Sequence, residues 1–172
     1  MAHRKHSLKN TNSNSGIHYL PTDEKSAREF LAWKYEAPYE IYNYSPENFE
    51  QDLAYHLNPR NNIFSMYQND TLIGYCSFGR DAQVPGGDYS EDALDIGMMI
   101  TPELTGQGQG TGFVASIIQH ASETYKSGKL RVTILESNKR AMKVWENNGF
   151  RQIQSFERES DETGFVIFTK DV

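Results

Sequence analysis

The sequence has 172 residues, of which 37% are hydrophobic and 12% are aromatic, and this predicts one globular domain with a sizeable core. No run approaches 18 consecutive apolar residues, so we predict no membrane helix and no membrane partner. Residues 17–172 hold 14 basic and 23 acidic residues and carry a formal charge of −9. This acidity argues against nucleic acid as a partner, because neutralising phosphates requires clustered lysine and arginine.

The first sixteen residues are polar and rich in asparagine and serine. We therefore predict a disordered tail or an expression remnant over residues 1–16 and a single domain over residues 17–172. Cys76 is the only cysteine, which allows no internal disulfide and fits a reducing cytoplasm. Its strand-like surroundings favour a small buried residue over a nucleophile. The five histidines show no metal-ligand spacing in the folded part, so we predict no metal.

The N-terminal half alternates short strands with helices. Residues 17–20 read as a first strand, and Thr22 is the predicted cap of a helix that runs to about Trp33. A second helix is expected to begin at Pro46 with Ser45 as its N-cap. Two strands, over residues 63–68 and 71–78, surround an Asn-Asp turn and predict a hairpin, and a long loop follows over residues 79–92.

The C-terminal half contains a strand, a glycine-rich turn and a helix. Alternating apolar residues over 94–100 predict the strand, and the three- and four-residue spacing after Phe113 predicts the helix. A second strand and helix follow over residues 129–148, with Ser137 or Asn138 as the N-cap and Gly149 ending the helix. A final hairpin is expected to pair residues 150–156 with 164–169.

The glycine-rich turn, Thr-Gly-Gln-Gly-Gln-Gly-Thr-Gly over residues 105–112, has the chemistry of a phosphate site. Free backbone N–H groups and the positive end of the helix converge there. The dinucleotide-binding pattern Gly-x-Gly-x-x-Gly is not met when it starts at Gly106 or Gly108. A start at Gly110 places the pattern far from the end of the strand. A P-loop fails because no lysine follows the glycines. The alternative is a glycine-rich turn that binds no ligand.

Two blocks resemble the GNAT superfamily of N-acetyltransferases. That family carries Arg/Gln-x-x-Gly-x-Gly/Ala after a strand and a proline, and here Gly108 and Gly110 match, whereas Thr105 replaces Arg or Gln. A second register, from Gln107, satisfies the pattern literally but lies two residues further from the strand. About 30 residues later the family carries Asn-x-x-Ala-x-x-x-Tyr-x-x-x-Gly-Phe. The matching residues here are Asn138, Ala141, Gly149 and Phe150, with Trp145 in place of the tyrosine.

The resemblance implies a mixed α/β fold, with a mostly antiparallel sheet of about six to seven strands, a splayed central pair and about four flanking helices. It also implies acetyl-CoA as co-substrate, with pantetheine entering the splay and meeting unpaired backbone groups of the central strand. The residues expected to bind acetyl-CoA are Met98, Met99, Ile100, Thr105, Gly106, Gln107, Gly108, Gln109, Gly110, Thr111, Asn138 and Trp145. Asn138 is equally well explained as a helix cap, and Trp145 as a core residue.

The chemistry of amine acetylation needs a neutral amine, and a primary amine with a pKa of roughly 10 requires a base. Asp95, at the start of the central strand, is our candidate, with Glu136 as a weaker one. The backbone N–H near Met99 is expected to stabilise the oxyanion. Trp145 cannot protonate the leaving thiolate as the family's tyrosine does, so water or another tyrosine would serve.

The acceptor is expected to contact the segment that joins the first two helices. Its aromatic residues form either a slot for the acceptor or part of the core: Trp33, Tyr35, Tyr39 and Tyr42. Acidic loops would attract a cationic amine.

The sequence therefore predicts an N-acetyltransferase that moves the acetyl group of acetyl-CoA directly to a primary amine in a ternary complex, as a monomer or homodimer. Two alternatives are open. One is a CoA-binding module without turnover, and the other is an acyltransferase for longer chains with room near Gly97.

Overall fold

The computed structural model describes residues 16–172, so most of the predicted tail lies outside the described residues. The described chain forms a seven-stranded sheet with four helices. The strands are β1 (Ile17–Pro21), β2 (Ile63–Gln68), β3 (Thr71–Phe78), β4 (Leu94–Ile100), β5 (Lys129–Leu135), β6 (Arg151–Arg158) and β7 (Thr163–Asp171). The helices are α1 (Glu24–Leu31), α2 (Phe49–Leu57), α3 (Gly110–Thr124) and α4 (Lys139–Asn147).

The strand order across the sheet is β1-β2-β3-β4-β5-β7-β6, and only the central β4–β5 pair is parallel. This confirms the predicted mixed α/β architecture with a mostly antiparallel sheet. The β2–β3 hairpin turns through Asn69 and Asp70, whose φ angles of 49° and 60° are those of a tight hairpin turn. The φ of +87° at Gly149 likewise fits the predicted end of α4.

Each face of the sheet is covered by one pair of helices. One buried cluster joins α3 and α4 to the sheet through residues such as Ile96, Ile117 and Trp145. A smaller cluster joins α1 and α2 to the other face through residues such as Phe30 and Leu53. No helix within residues 16–172 has the length and apolar character needed to cross a membrane.

Two predicted helix starts were wrong. Helix α1 is capped by Asp23 rather than Thr22, because the Asp23 carboxylate accepts the Ser26 N–H at 2.8 Å in a capping box. Ser45 makes no side-chain cap, and Pro46 opens a single 3₁₀ turn before α2 begins at Phe49. Both errors are shifts of a few residues at helix ends, where local capping geometry decides the boundary.

Candidate active site

A wedge-shaped gap opens between β4 and β5. The two strands pair only at Leu94 with Leu130 and at Asp95 with Arg131. Beyond that point β5 remains paired to β7 along its whole length, while β4 continues to Ile100 beside β3. The predicted splay of the central pair is therefore confirmed, and its closed end lies at Asp95.

The backbone groups that face this gap follow from the β3–β4 ladder. At one end Gly79 N–H donates to the Asp95 carbonyl at 2.9 Å, and at the other Thr101 N–H donates to the Ile73 carbonyl at 2.9 Å. The register between these ends has no shift. Because alternate residues of a strand face opposite neighbours, the odd-numbered residues of β4 face β3 and the even-numbered ones face the gap.

This alternation corrects one predicted site residue. Met99 lies opposite Tyr75 and directs its N–H into the β3 ladder, so it is not available to an oxyanion in the gap. The open groups of β4 belong instead to Met98 and Ile100. Met98 and Ile100 remain predicted cofactor contacts, whereas the backbone of Met99 is directed away from the gap.

The glycine-rich turn lies at the open end of β4. A 3₁₀ turn over Pro102–Leu104 follows the strand, and Thr105 Oγ1 donates to the Pro102 carbonyl at 2.8 Å. Gly106 and Gly108 adopt φ angles of +73° and +76°, which side chains rarely tolerate. Helix α3 begins at Gly110 with no side-chain cap, so no side chain at the cap accepts from its first N–H groups. The predicted strand, glycine turn and helix are all present.

One stripe of α4 packs against this turn. A Cβ at Gly110 would lie 3.0 Å from Val144 Cγ2, so the turn and α4 approach each other closely at this glycine. Asn148 Nδ2, one turn later, donates to the Thr111 carbonyl at 3.2 Å. Arg140, one turn earlier, brings its guanidinium within 3.2 Å of a Cβ built on Gly106. The sequence reasoning missed Arg140, although the i, i+4, i+8 spacing of these three residues predicts a common helix face.

Asn138 lies at the mouth of the gap, where α4 starts. Its Oδ1 accepts the Ala141 N–H at 3.0 Å, as an N-cap does, and its Nδ2 donates to Tyr42 Oη at 2.9 Å. An amide nitrogen carries two N–H groups, so one remains for a ligand. The cap role is therefore observed, and it leaves one amide N–H available as a donor.

Trp145 belongs to the core. Its side chain is 3% exposed, and its ring meets the ring of Phe150 edge-on at a centroid distance of 4.8 Å. A buried indole offers little surface to a cofactor arm. This geometry disagrees with the predicted cofactor contact and matches the core alternative.

Asp95 forms a buried ion pair. Arg131 Nε and Nη2 donate to its two carboxylate oxygens at 2.6 and 2.9 Å, and Gln83 adds a third hydrogen bond at 2.8 Å. Asp95 and Arg131 are 3% and 2% exposed, and the carboxylate raises the pKa of the guanidinium further. Because both oxygens are occupied and solvent is excluded, this geometry disagrees with a general-base role for Asp95 and supports a structural one.

The segment between α1 and α2 lies across the mouth of the gap. Tyr35 Oη donates to the Ile100 carbonyl at 2.6 Å, and burial raises the pKa of Tyr35, which keeps this donor protonated. Tyr42 accepts from Asn138 on the opposite wall, and Tyr39 lies under Arg140 at 4.3 Å. Trp33 instead packs beside Phe30 in the α1–α2 cluster. Of the four predicted acceptor aromatics, Tyr35 and Tyr42 contact the two walls of the gap, Tyr39 lies against Arg140 beside the glycine turn, and Trp33 lies in the α1–α2 cluster.

The remaining predicted positions are also located. Glu136 is exposed just after β5, with its carboxylate against Gly164 of β7. A Cβ on Gly97 would lie 2.5 Å from Ser77 Oγ, so Gly97 provides no room for a longer acyl chain. Cys76 is fully buried in β3, as predicted.

The residues present fit coenzyme A. A flexible amide-containing arm needs exposed strand N–H and C=O groups, which β4 supplies on its gap side, and phosphates need a concave set of N–H groups, which the glycine turn supplies. Glycine supplies the positive φ at both Gly106 and Gly108, and a Cβ on Gly108 would meet no atom within 4 Å.

Comparison with known proteins agrees with this geometry. Residues 16–151 match the acetyltransferase (GNAT) domain family. The spermine/spermidine N(1)-acetyltransferase of Bacillus subtilis (strain 168) is 26% identical over 113 residues, which cover 62% of this chain and 68% of that protein.

Solved structures share the fold at low sequence identity. Aminoglycoside acetyltransferase AAC(6')-Ib, in complex with coenzyme A, superposes with a TM-score of 0.72 at 15% identity, covering 90% of this chain and 94% of that one. A chimera of Vibrio cholerae spermidine N-acetyltransferase SpeG and hSSAT superposes with a TM-score of 0.70 at 15% identity. The match covers 91% of this chain and 96% of that one. The chain belongs to the GNAT acetyltransferase family and is an N-acetyltransferase that uses acetyl-CoA to acetylate amines.

Proposed function

We propose that this enzyme acetylates a primary amino group of a polyamine by direct transfer from acetyl-CoA bound in the β4–β5 gap. The observation that carries the proposal is the open edge of β4, which ends in the glycine turn at the start of α3. Acetyl-CoA would lie along this edge, with its pyrophosphate at residues 105–111.

The pantetheine arm would bind between two walls. Met98 offers its carbonyl and Ile100 its N–H on one wall, and Asn138 offers its remaining N–H on the other. The Ile100 carbonyl accepts from Tyr35 and keeps a second lone pair. The arm therefore finds partners without displacing either tyrosine.

The transfer step would join the amine nitrogen to the thioester carbon and release the CoA thiolate. The Met98 N–H faces the gap midway along β4 and is our proposed donor to the oxyanion. With Asp95 engaged by Arg131, we propose that a water molecule in the gap removes the proton of the ammonium.

Protonation of the thiolate would come from Tyr42. The family's usual tyrosine position holds the buried Trp145, whose indole N–H does not ionise usefully. Tyr42 Oη instead lies at Asn138, on the wall of the gap, and burial raises the pKa of Tyr42, so its proton is present at neutral pH.

The polyamine class is supported by charge and by relatives. The loop after β3 packs on β6, since Asp88 N–H donates to Gln154 Oε1 at 3.0 Å and Gly86 lies against Phe156. We propose that the acidic residues of this loop attract a polycation. The relatives named above include spermine/spermidine acetyltransferases. A reducing, cytoplasmic location is also proposed, supported by the single, buried Cys76.

The polyamine assignment is tested by measuring thiol release from acetyl-CoA with spermidine, an aminoglycoside or 1-aminobutane, beside a Gly108→Glu, Gly110→Glu variant. The matched monoamine tests whether a second positive charge is needed.

We expect release with spermidine, weak release with 1-aminobutane, and none in the variant. Release with the aminoglycoside alone would overturn the polyamine assignment. Calorimetric binding of CoA with no release for any of the three acceptors would also overturn the polyamine assignment.

A further inference from the structure

Arg140 is held in position beside the glycine turn by the packing of its own helix. Its Nη1 lies 3.2 Å from a Cβ built on Gly106, while Val144 and Asn148 on the same stripe contact Gly110 and Thr111. These two contacts fix the rotation of α4 relative to the turn, so Arg140 faces the turn as a consequence of packing.

Arg140 also supplies a charge that the turn itself lacks. No lysine or arginine occurs from residue 81 to residue 125, a stretch that includes the whole turn and α3. Within residues 16–172 no carboxylate lies within ion-pair distance of the Arg140 guanidinium. A guanidinium presents a planar fork of donors that matches phosphate oxygens in pairs, and this one has no competing anion in the described chain.

Tyr39 restrains the guanidinium from the other side. The Arg140 Cζ lies 4.3 Å from the centroid of the Tyr39 ring, a cation–π contact that leaves the edges of the fork free to donate. Tyr39 belongs to the segment between α1 and α2, which also contacts Ile100 and Asn138. The same segment therefore contacts both walls of the gap and the cationic side chain at its end.

We infer that Arg140 is a ligand of the pyrophosphate of coenzyme A, held in place by Tyr39. This inference rests on the cofactor site proposed above. The pyrophosphate is the group that the glycine turn and the start of α3 are shaped to receive, and the guanidinium lies on the Gly106 side of that same turn. The backbone N–H groups and the side chain thus approach one anion from different directions.

The test is calorimetric binding of CoA and 3′-dephospho-CoA to the full chain, which needs no turnover. Arg140→Gln should weaken both ligands by a similar factor, on the order of tenfold, because a charged hydrogen-bond donor is lost. Arg140→Lys should recover part of the lost affinity for both ligands. Tyr39→Leu should cause a smaller loss, since the charge remains. Lys143→Gln is the matched control, as Lys143 lies on the same helix with 72% of its side chain exposed, and it should bind as the wild type does.

The outcomes separate the inference from the proposed function. Equal CoA affinity in wild type and Arg140→Gln would overturn the inference alone. Loss confined to CoA, with 3′-dephospho-CoA unaffected, would also overturn it, since the contact would then be to the 3′-phosphate. Failure of the wild type to bind either ligand would instead remove the proposed cofactor site. Unchanged thermal unfolding of each variant shows that the fold is intact.

Discussion

Tyr42 Oη lies 2.9 Å from Nδ2 of Asn138, and this hydrogen bond joins the segment between α1 and α2 to the N-cap residue of α4. This hydrogen bond places a phenol at the mouth of the gap, although the phenol expected on α4 is replaced by Trp145. The relationship leads to the first prediction.

Removing the Tyr42 hydroxyl should slow transfer without weakening CoA binding. In Tyr42→Phe we expect kcat to fall by about 100-fold, the usual lower range for loss of a general acid, with the dissociation constant of CoA within a factor of about two. Steady-state thiol release and calorimetry measure the two quantities. Tyr39→Phe, which keeps its ring, is the control and should retain kcat. An unchanged kcat in Tyr42→Phe would show that water protonates the thiolate.

Breaking the Asp95–Arg131 pair should reduce stability strongly. Asp95→Asn leaves a buried guanidinium without its counter-ion, so the free energy of unfolding should fall by about 3–5 kcal/mol in urea titrations. Adding Arg131→Gln to Asp95→Asn should cost less than the sum of the single changes. Full stability, combined with loss of kcat and a changed pH profile, would restore Asp95 as the general base.

Two glycines of the turn region should respond differently to substitution. Gly108→Ala places a Cβ on a residue with φ of +76°, which costs about 1–2 kcal/mol and narrows the turn, so CoA binding should weaken. Gly112→Ala is the matched control, because it lies inside α3 and a Cβ there meets no atom within 4 Å. That variant should be more stable by roughly 0.5–1 kcal/mol and bind CoA normally. Equal CoA affinity in both variants would place the phosphates elsewhere.

His120 should make stability fall under mildly acidic conditions. Desolvation lowers the pKa of His120, whose Nε2 is buried with no hydrogen-bond partner within residues 16–172 and whose ring stacks on Tyr19 at 4.1 Å. A lowered pKa in the folded state means that the unfolded chain binds more protons. The stabilising effect is therefore complete above the unfolded pKa of roughly 6.5 and is lost as pH falls through the folded value.

The measurement is the thermal midpoint at pH 7.5 and pH 5.5. His120→Phe keeps the stacked ring and removes the titration, so its midpoint should fall less than that of the wild type over this range. An identical decrease in both proteins would show that other groups cause the acid sensitivity.

Much of the architecture was readable from local patterns. The alternation over residues 94–100, the glycines that follow and the helical spacing after Phe113 fix a strand, a turn and a helix, because each depends on neighbours in sequence. The block from Asn138 to Phe150 is equally local, and the family resemblance rests on these two segments. The acetyl-CoA requirement follows from them.

The roles of single side chains depended on contacts between distant segments. The sequence predicted Asp95 as a base, but Arg131 of β5 lies against its carboxylate. The sequence also predicted an oxyanion donor near Met99, but the register with β3 directs the Met99 N–H away from the gap. Arg140 and Tyr42 gained roles only because separate elements meet at the turn and at Asn138.

The sequence by itself determined the elements, their order and the family, since backbone periodicity and glycine conformations are set within a few residues. Only the tertiary structure decided which groups face the gap, because strand register, ion pairing and side-chain burial are set by residues far apart in the chain.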